Sequence, residues 1–513
     1  MSTALTESLA EVVSSAGRRW PGDVALAIGA RNLTYGQLDR ASARVADDLT
    51  SRGLVAGDPV AVLAATGLEF PVLAYGVLRA GGVLLPISSD SPPREVARLL
   101  RAAQAELVLC DTEHQAVATE AVAIFDPGCG VITLDGTASR SRGDVHALKK
   151  LIEGTGQPAP PDRIPAGSPA VILFTSGSTA KPKGVVHSHE GLLANARCVA
   201  HEMAGLTRRD VLLGALPLAH SFGLSAVLNT SLLVGARLEL MAGFDAREAW
   251  KVVLAREVTV LTGVPTMYRR IAELREASRN SDLRLAIVSG AACPRAVARD
   301  VRLRLGVRVV ERYGMTEASP LTWRELEDGT EDGDVGWPGW GVHLRTVDAS
   351  GAVQPAGTPG EVEVRSPGMF LRYLAAADNR EALHDGWLRT GDLGLIRPDG
   401  GLTLQSRLKD VILRGGYTIS AREVEAVIEQ HPAVAEAAVV ALPDPDLGED
   451  IAAMVVLRNG RSTEPAELWR FVGERLAGWK RPRRWRIVAE LPRTSLGKVK
   501  RAEIASTWNE SGS

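Results

Sequence analysis

Short apolar runs and amphipathic stretches alternate through the first half of this chain. The segment PVAVLAATGLEFPVLAYGVLRAGGVLLPIS (59–88) predicts an apolar strand, an amphipathic helix and a second strand, and similar alternation recurs at 106–136, 170–200 and 211–240. Strands that alternate with helices in this way imply parallel sheets covered on both faces. Between about 323 and 405 the texture changes to short runs such as GEVEVRS and GLTLQSR, broken by Gly, Pro and Asp turns, which predicts a β-rich region. After RLKD (407–410) the pattern predicts a helix through AREVEAVIEQ, strands through AEAAVVALPD and DIAAMVVLR, an amphipathic helix and a basic tail. The expected architecture is therefore α/β: a large N-terminal domain of layered sheets and helices with a β-rich end, plus a small mobile C-terminal α+β domain. The boundaries read as 1–405, a connecting 406–410, and 411–513.

Composition narrows the function classes. The chain has 513 residues, more than one hydrophobic core usually supports, so two or three domains are expected. A formal net charge of -2 offers no global pull toward nucleic acid or anionic lipid, and any polyanion must be bound locally. Cys110, Cys129, Cys198 and Cys293 have neither zinc-type spacing nor the density of a disulfide framework. The N-terminal segment lacks the basic and apolar regions of a signal peptide. The apolar stretch Val60–Ile87 is interrupted by Glu69, Arg79 and Gly81–Gly82, which suits buried strands and helices better than a membrane span. A cytoplasmic protein is the resulting expectation.

Chemistry is concentrated in AVILFTSGSTAKPKGVVHSH (170–189). An apolar strand runs into Thr175, Ser176, Gly177, Ser178, Thr179 and Ala180, and then Lys181 and Lys183. Hydroxyls and lysines gathered on one turn supply donors and positive charge for a polyphosphate. The order of Gly, Lys and hydroxyl residues is not that of the GxxxxGK[ST] loop, and by composition alone a polar surface loop is the commoner outcome.

TSGSTAKPKG resembles the phosphate loop of the adenylate-forming superfamily, which includes acyl-CoA synthetases, peptide-synthetase adenylation domains and firefly-type luciferases. RYGMTE (312–317), WLRTGDLG (387–394), RLKDVILRGGYTIS (407–420) and LPRTSLGKVKR (491–501) follow in that family's order, so the resemblance covers nearly the whole chain and is closest to acyl-CoA ligases. It implies ATP, Mg²⁺ and coenzyme A as reactants or cofactors. Thr175–Ala180, Lys183, Arg312, Tyr313, Gly314, Thr316, Asp392 and Arg407 are implied in nucleotide binding, with Gly290, Ala291 and Ala292 small enough for adenine to approach the backbone. Glu317 beside Thr316 offers a hard cation an oxygen ligand, and Asp392 can accept hydrogen bonds from ribose hydroxyls. Lys498 is implied in neutralising charge as the acid attacks phosphorus. Lys409 occupies the family's hinge, and Gly415 and Gly416 resemble the glycines lining the tunnel for a pantetheine arm. Lys480 and Arg481, with Arg483, either meet coenzyme A phosphates or simply face solvent.

ALPLAHSFGLS (215–225) matches the segment that borders the acyl pocket. His220, Phe222, Gly223 and Leu224, with Thr262, Val264, Gly290, Met315 and Ala318, are the expected walls, and His220 either gates the pocket or packs. The segment has no Asp to pair with an amino-acid ammonium, which implies an acid without a charged amine. Trp337 and Trp340, bulky for a turn, either shape a wide hydrophobic site or, as the commoner outcome, pack in the core. Two departures stand out. Ala180 replaces a usual Gly, where a Cβ restricts backbone approach to phosphate, and Ser406 replaces another. The expected function is an AMP-forming acyl-CoA ligase. Rivals are thioesterification of a preformed adenylate, loading of a carrier protein, a luciferase-like oxygenase and a catalytically silent nucleotide-binding protein.

Overall fold

The computed structural model describes residues 8–126, 129–133, 164–175, 183–280, 282–331, 333–408, 411–414, 417–494 and 497–509. By packing, the chain forms two compact units, one comprising Met1–Asp328, Gly339–Val342 and Ser366–Ala382, the other Gly329–Pro338, His343–Arg365 and Leu383–Ser513.

The first unit carries the predicted alternation. One sheet has the order Arg372–Tyr373, Lys183–Ser188, Pro169–Thr175, Val83–Ile87, Pro59–Leu63, Leu107–Cys110 and Gly130–Thr133. Its strands from Pro169–Thr175 onward pair parallel, while Lys183–Ser188 folds back antiparallel. A second sheet runs Ala318–Glu325, Arg308–Met315, Leu285–Val288, Val260–Gly263, Val211–Gly214, Arg237–Leu240, Val24–Ile28 and Arg31–Thr34, parallel in its interior and antiparallel at both ends. Helices Tyr35–Ser51, Glu69–Arg79 and His189–Arg197 send Leu38, Phe70 and Leu192 into one core with Leu26 of the second sheet and Val60 of the first. Each such side chain, fully buried, contributes about 1.5–3 kcal/mol.

The β-rich texture after 323 becomes an antiparallel sheet of His343–Val347, Gly360–Arg365, Trp387–Ile396, Leu383–His384 and Leu402–Arg407. The C-terminal pattern becomes strands Val434–Asp444 and Gly448–Leu457 as a long antiparallel pair, with Arg484–Val488 added in parallel. Helix Ala421–Ile428, capped by the Ser420 hydroxyl on Glu423 N–H, buries Val424 and Ile428 against Val439 and Val455. The expected fold class is thus the observed one. Among the described residues no helix is long and apolar enough to cross a membrane.

Two expectations fail at residue level. Trp337 and Trp340 are 44% and 70% exposed rather than in the core. Trp337 lies in the two-residue strand Trp337–Pro338 and meets the Arg397 guanidinium 5.2 Å from its ring centre, while Trp340 lies on the turn that follows, its backbone N–H donating to Glu202.

Candidate active site

Strand Arg308–Met315 and strand Ala318–Glu325 form a hairpin in which Met315 faces Ala318, so Thr316 and Glu317 are the two turn residues. Gly314 is required just before this turn, because a Cβ there would lie 2.7 Å from Ser319 Oγ and 3.1 Å from its Cα. Glu317 is buried, and its Oε1 accepts from the Tyr373 hydroxyl at 2.8 Å. Burial, followed by the Glu317 charge, pushes the Tyr373 phenol well above its usual range, so it remains a donor. A carboxylate on a tight turn, flanked by a hydroxyl, is the oxygen-rich donor set that a Mg²⁺ ion favours.

Thr175 and Lys183 are register partners at the ends of an antiparallel pair. Lys183 Nζ lies 3.1 Å from Asp378 and 5.4 Å from the centre of the Tyr373 ring. Ser176, Gly177, Ser178, Thr179 and Ala180, between the two strands, lie outside the described residues. Immediately beyond, His187 and His189 are buried, the ring nitrogens of His189 have no hydrogen-bond partner among the described residues, and burial lowers both side chains to about 4. The Thr316 backbone opposes the shift at His187.

After strand Leu285–Val288 the chain turns through Gly290 at φ +87°, a conformation that favours glycine, with Val264 3.2 Å from where a Cβ would stand. Gly290, Ala291 and Ala292 are exposed, forming an open ledge of small residues, and Cys293 N–H is anchored to Glu311 at 2.8 Å.

The expected acyl-pocket segment winds as a π-helix, Phe222–Asn229, and Cys198–Met203 is π-helical too; such turns concentrate at functional sites. Arg312 comes to this segment. Its guanidinium donates to Ser289 Oγ at 3.2 Å and Ser319 Oγ at 2.6 Å and stands 4.8 Å from the centre of the Phe222 ring. It is buried, burial lowers it to about 10, and among the described residues it has no carboxylate partner. His220 Nε2 is likewise buried without a partner, and burial lowers its pKa against the opposing charge of Asp90. Leu224 and Val264 are buried apolar residues, and Thr262 directs its hydroxyl to the Leu213 carbonyl at 2.8 Å.

Residues 13–374 match the model of the AMP-binding enzyme family, and 423–498 match its C-terminal domain. The chain belongs to the AMP-binding enzyme family. It is 31% identical to a sulfoacetate–CoA ligase of Cupriavidus necator over 97% of both chains. It is 29% identical to a long-chain-fatty-acid–CoA ligase of Bacillus subtilis, over 98% of this chain and 95% of that one. ATP-bound MatB from Rhodopseudomonas palustris superposes with a TM-score of 0.89 at 30% identity, covering 98% of this chain and 100% of that one.

In the second unit of this AMP-binding enzyme, Asp392 and Arg407 are strand partners and ion-paired at 2.9 Å. Asp392 is buried, with its N–H donating to Thr390 Oγ1. Lys498 is exposed on a turn closed by Thr494, whose N–H donates to the Lys498 carbonyl at 2.8 Å. Lys480 pairs with Glu423, and Arg481 donates to the carbonyls of Leu476 and Gly473 at the end of helix Pro465–Gly473. Lys409, Gly415 and Gly416 lie outside the described residues. Sequence reasoning missed Ser289 and Tyr373: neither belongs to a motif with its partner, and Tyr373 is 56 positions from Glu317.

Proposed function

We propose that this enzyme is an AMP-forming acid–coenzyme A ligase whose acid substrate carries a second anionic group and no charged amine. Carboxylate attacks the α-phosphorus of Mg²⁺-bound ATP, giving acyl-AMP and pyrophosphate, and the thiol of coenzyme A then displaces AMP. Glu317 and Thr316 hold the metal and phosphates, Asp392 the ribose, and Gly290–Ala292 the adenine. Lys498 neutralises charge building between acid and α-phosphate. Residues 411–513 then rotate about 406–410, bringing Gly415 and Gly416 to the thiol's path.

The acid–thiol ligase reading is supported by the family membership and by the full-length likeness to CoA ligases. The observation that carries the substrate class is Arg312, a buried guanidinium whose described partners are two neutral hydroxyls and an aromatic face. A desolvated cation without a counterion is costly, and an anionic group on the ligand relieves that cost. Sulfoacetate, in the name of the Cupriavidus relative, is an acid of this kind.

The test supplies ATP, Mg²⁺ and coenzyme A with two sets of acids, monocarboxylates of several lengths and short acids bearing a second carboxylate or a sulfonate, and follows thioester by mass spectrometry. Preference for the second set supports the reading. A preference for monocarboxylates overturns the role of Arg312, and thioester formed only on a carrier protein overturns coenzyme A as acceptor.

A further inference from the structure

Glu317 is gripped by a segment that none of the sequence motifs includes. Strand Arg372–Tyr373 pairs with Lys183–Ser188, Tyr373 opposite Val185. From that strand the Tyr373 hydroxyl donates to Glu317 Oε1 at 2.8 Å, with both side chains buried, and the Phe370 N–H donates to the Glu317 carbonyl at 2.7 Å. The same short segment therefore fixes both the backbone and the carboxylate of one residue. Among the described residues, Oε2 of Glu317 has no hydrogen-bond or ionic partner.

Tyr373 is itself held rigidly. Its N–H donates to Asn379 Oδ1 at 2.7 Å, and Asn379 Nδ2 returns a bond to the Tyr373 carbonyl at 3.0 Å. Phe370 packs edge-on with ring centres 4.7 Å apart, and the Lys183 ammonium lies 5.4 Å from the ring centre. The hydroxyl is thus presented from a fixed ring to a side chain that would otherwise turn about several torsions. Outer partners of this kind orient metal-ligating carboxylates and tune their affinity.

We propose that Tyr373 is a positioning residue for metal binding: its hydroxyl holds one oxygen of Glu317 so that the other is presented to the Mg²⁺ ion of the bound nucleotide. The inference rests on the reading of Glu317 as the magnesium carboxylate. Tyr373→Phe is the informative substitution, because it keeps the strand pairing, the contact with Phe370 and the face toward Lys183, and removes only the hydrogen bond.

The experiment titrates Mn²⁺, as a paramagnetic stand-in for Mg²⁺, into the full-length protein with a non-hydrolysable ATP analogue. Electron paramagnetic resonance reads free Mn²⁺ for the wild type, Tyr373→Phe and Glu317→Gln, and thermal melts of all three run alongside. Tyr373→Phe is expected to weaken Mn²⁺ binding about tenfold or more, and Glu317→Gln at least as much. A residue that only packs the core would lower the melting temperature and leave Mn²⁺ affinity in place. Wild-type affinity in Tyr373→Phe alongside loss in Glu317→Gln overturns the inference and keeps the Glu317 assignment. Wild-type affinity in Glu317→Gln overturns that assignment and the inference with it.

Discussion

Arg312 is the residue at which stability and function pull apart. Burial lowers it to about 10, so it remains a cation at neutral pH, held by Ser289 and Ser319 over Phe222. Hydroxyls satisfy some of its donors but supply no opposing charge, and replacing a buried charge with an apolar residue of similar volume is often neutral or stabilising. Arg312→Met is therefore expected to hold or raise the melting temperature, while kcat/KM for acids with a second anionic group falls roughly 10- to 100-fold, the worth of a charged hydrogen bond. Steady-state kinetics on both sets of acids, beside melts, checks this. An equal loss on monocarboxylates together with a lowered melting temperature would mark the arginine as structural. Arg312 was legible as part of RYGMTE, but its environment was not, because Ser289 lies 23 positions away and nothing local ties the two.

At the scale of elements, the strand Lys183–Ser188 and the helix His189–Arg197 meet at Ser188, whose hydroxyl caps the helix on Gly191 N–H at 3.1 Å. On either side of the cap stand His187 and His189, buried and lowered from 6.5 to about 4. Both must stay neutral to remain folded in, whereas the unfolded chain protonates them near 6.5. Their contribution is thus fully present above about pH 6.5 and is lost as pH falls toward about 4, since there the unfolded state binds the extra protons. Urea midpoints are expected to decline from pH 7 to pH 5, and the paired substitution His187→Phe and His189→Phe should flatten that decline. An unchanged slope would show that other groups govern acid sensitivity. The strand–helix alternation was readable from periodicity. The antiparallel fold-back of Lys183–Ser188 follows from spacing as well, because only seven residues separate it from Thr175, too few for the crossover that a parallel pair requires.

For the whole molecule, the two half-reactions assigned to Lys498 and Lys409 should separate. Lys498→Ala is expected to slow adenylation about 10²- to 10³-fold while a presynthesised acyl-adenylate is still converted to thioester. Lys409→Pro, which restricts the backbone of the proposed hinge, should leave pyrophosphate release intact and block thioester formation. Pyrophosphate release and thioester mass, measured on the same samples, distinguish the two, and parallel losses in both variants would sink the division of labour. The packing units grouped His343–Arg365 and Leu383–Ser513 together, whereas the proposed mobile segment begins at 411. Packing in one state and the segment that moves are different properties of the chain.

By itself the sequence determined the family, the layered α/β order and the chemistry of the motifs, because phosphate loops, turns and strand–helix periodicity are local: the residues that carry them are neighbours along the chain. Only the tertiary structure decided that Arg312 would be buried with no carboxylate partner among the described residues, that Tyr373 would reach Glu317 across 56 positions, and that Trp337 and Trp340 would stand exposed. Those outcomes depend on which sheets and helices share a core. Burial of apolar surface drives that choice without direction, so no single segment records it.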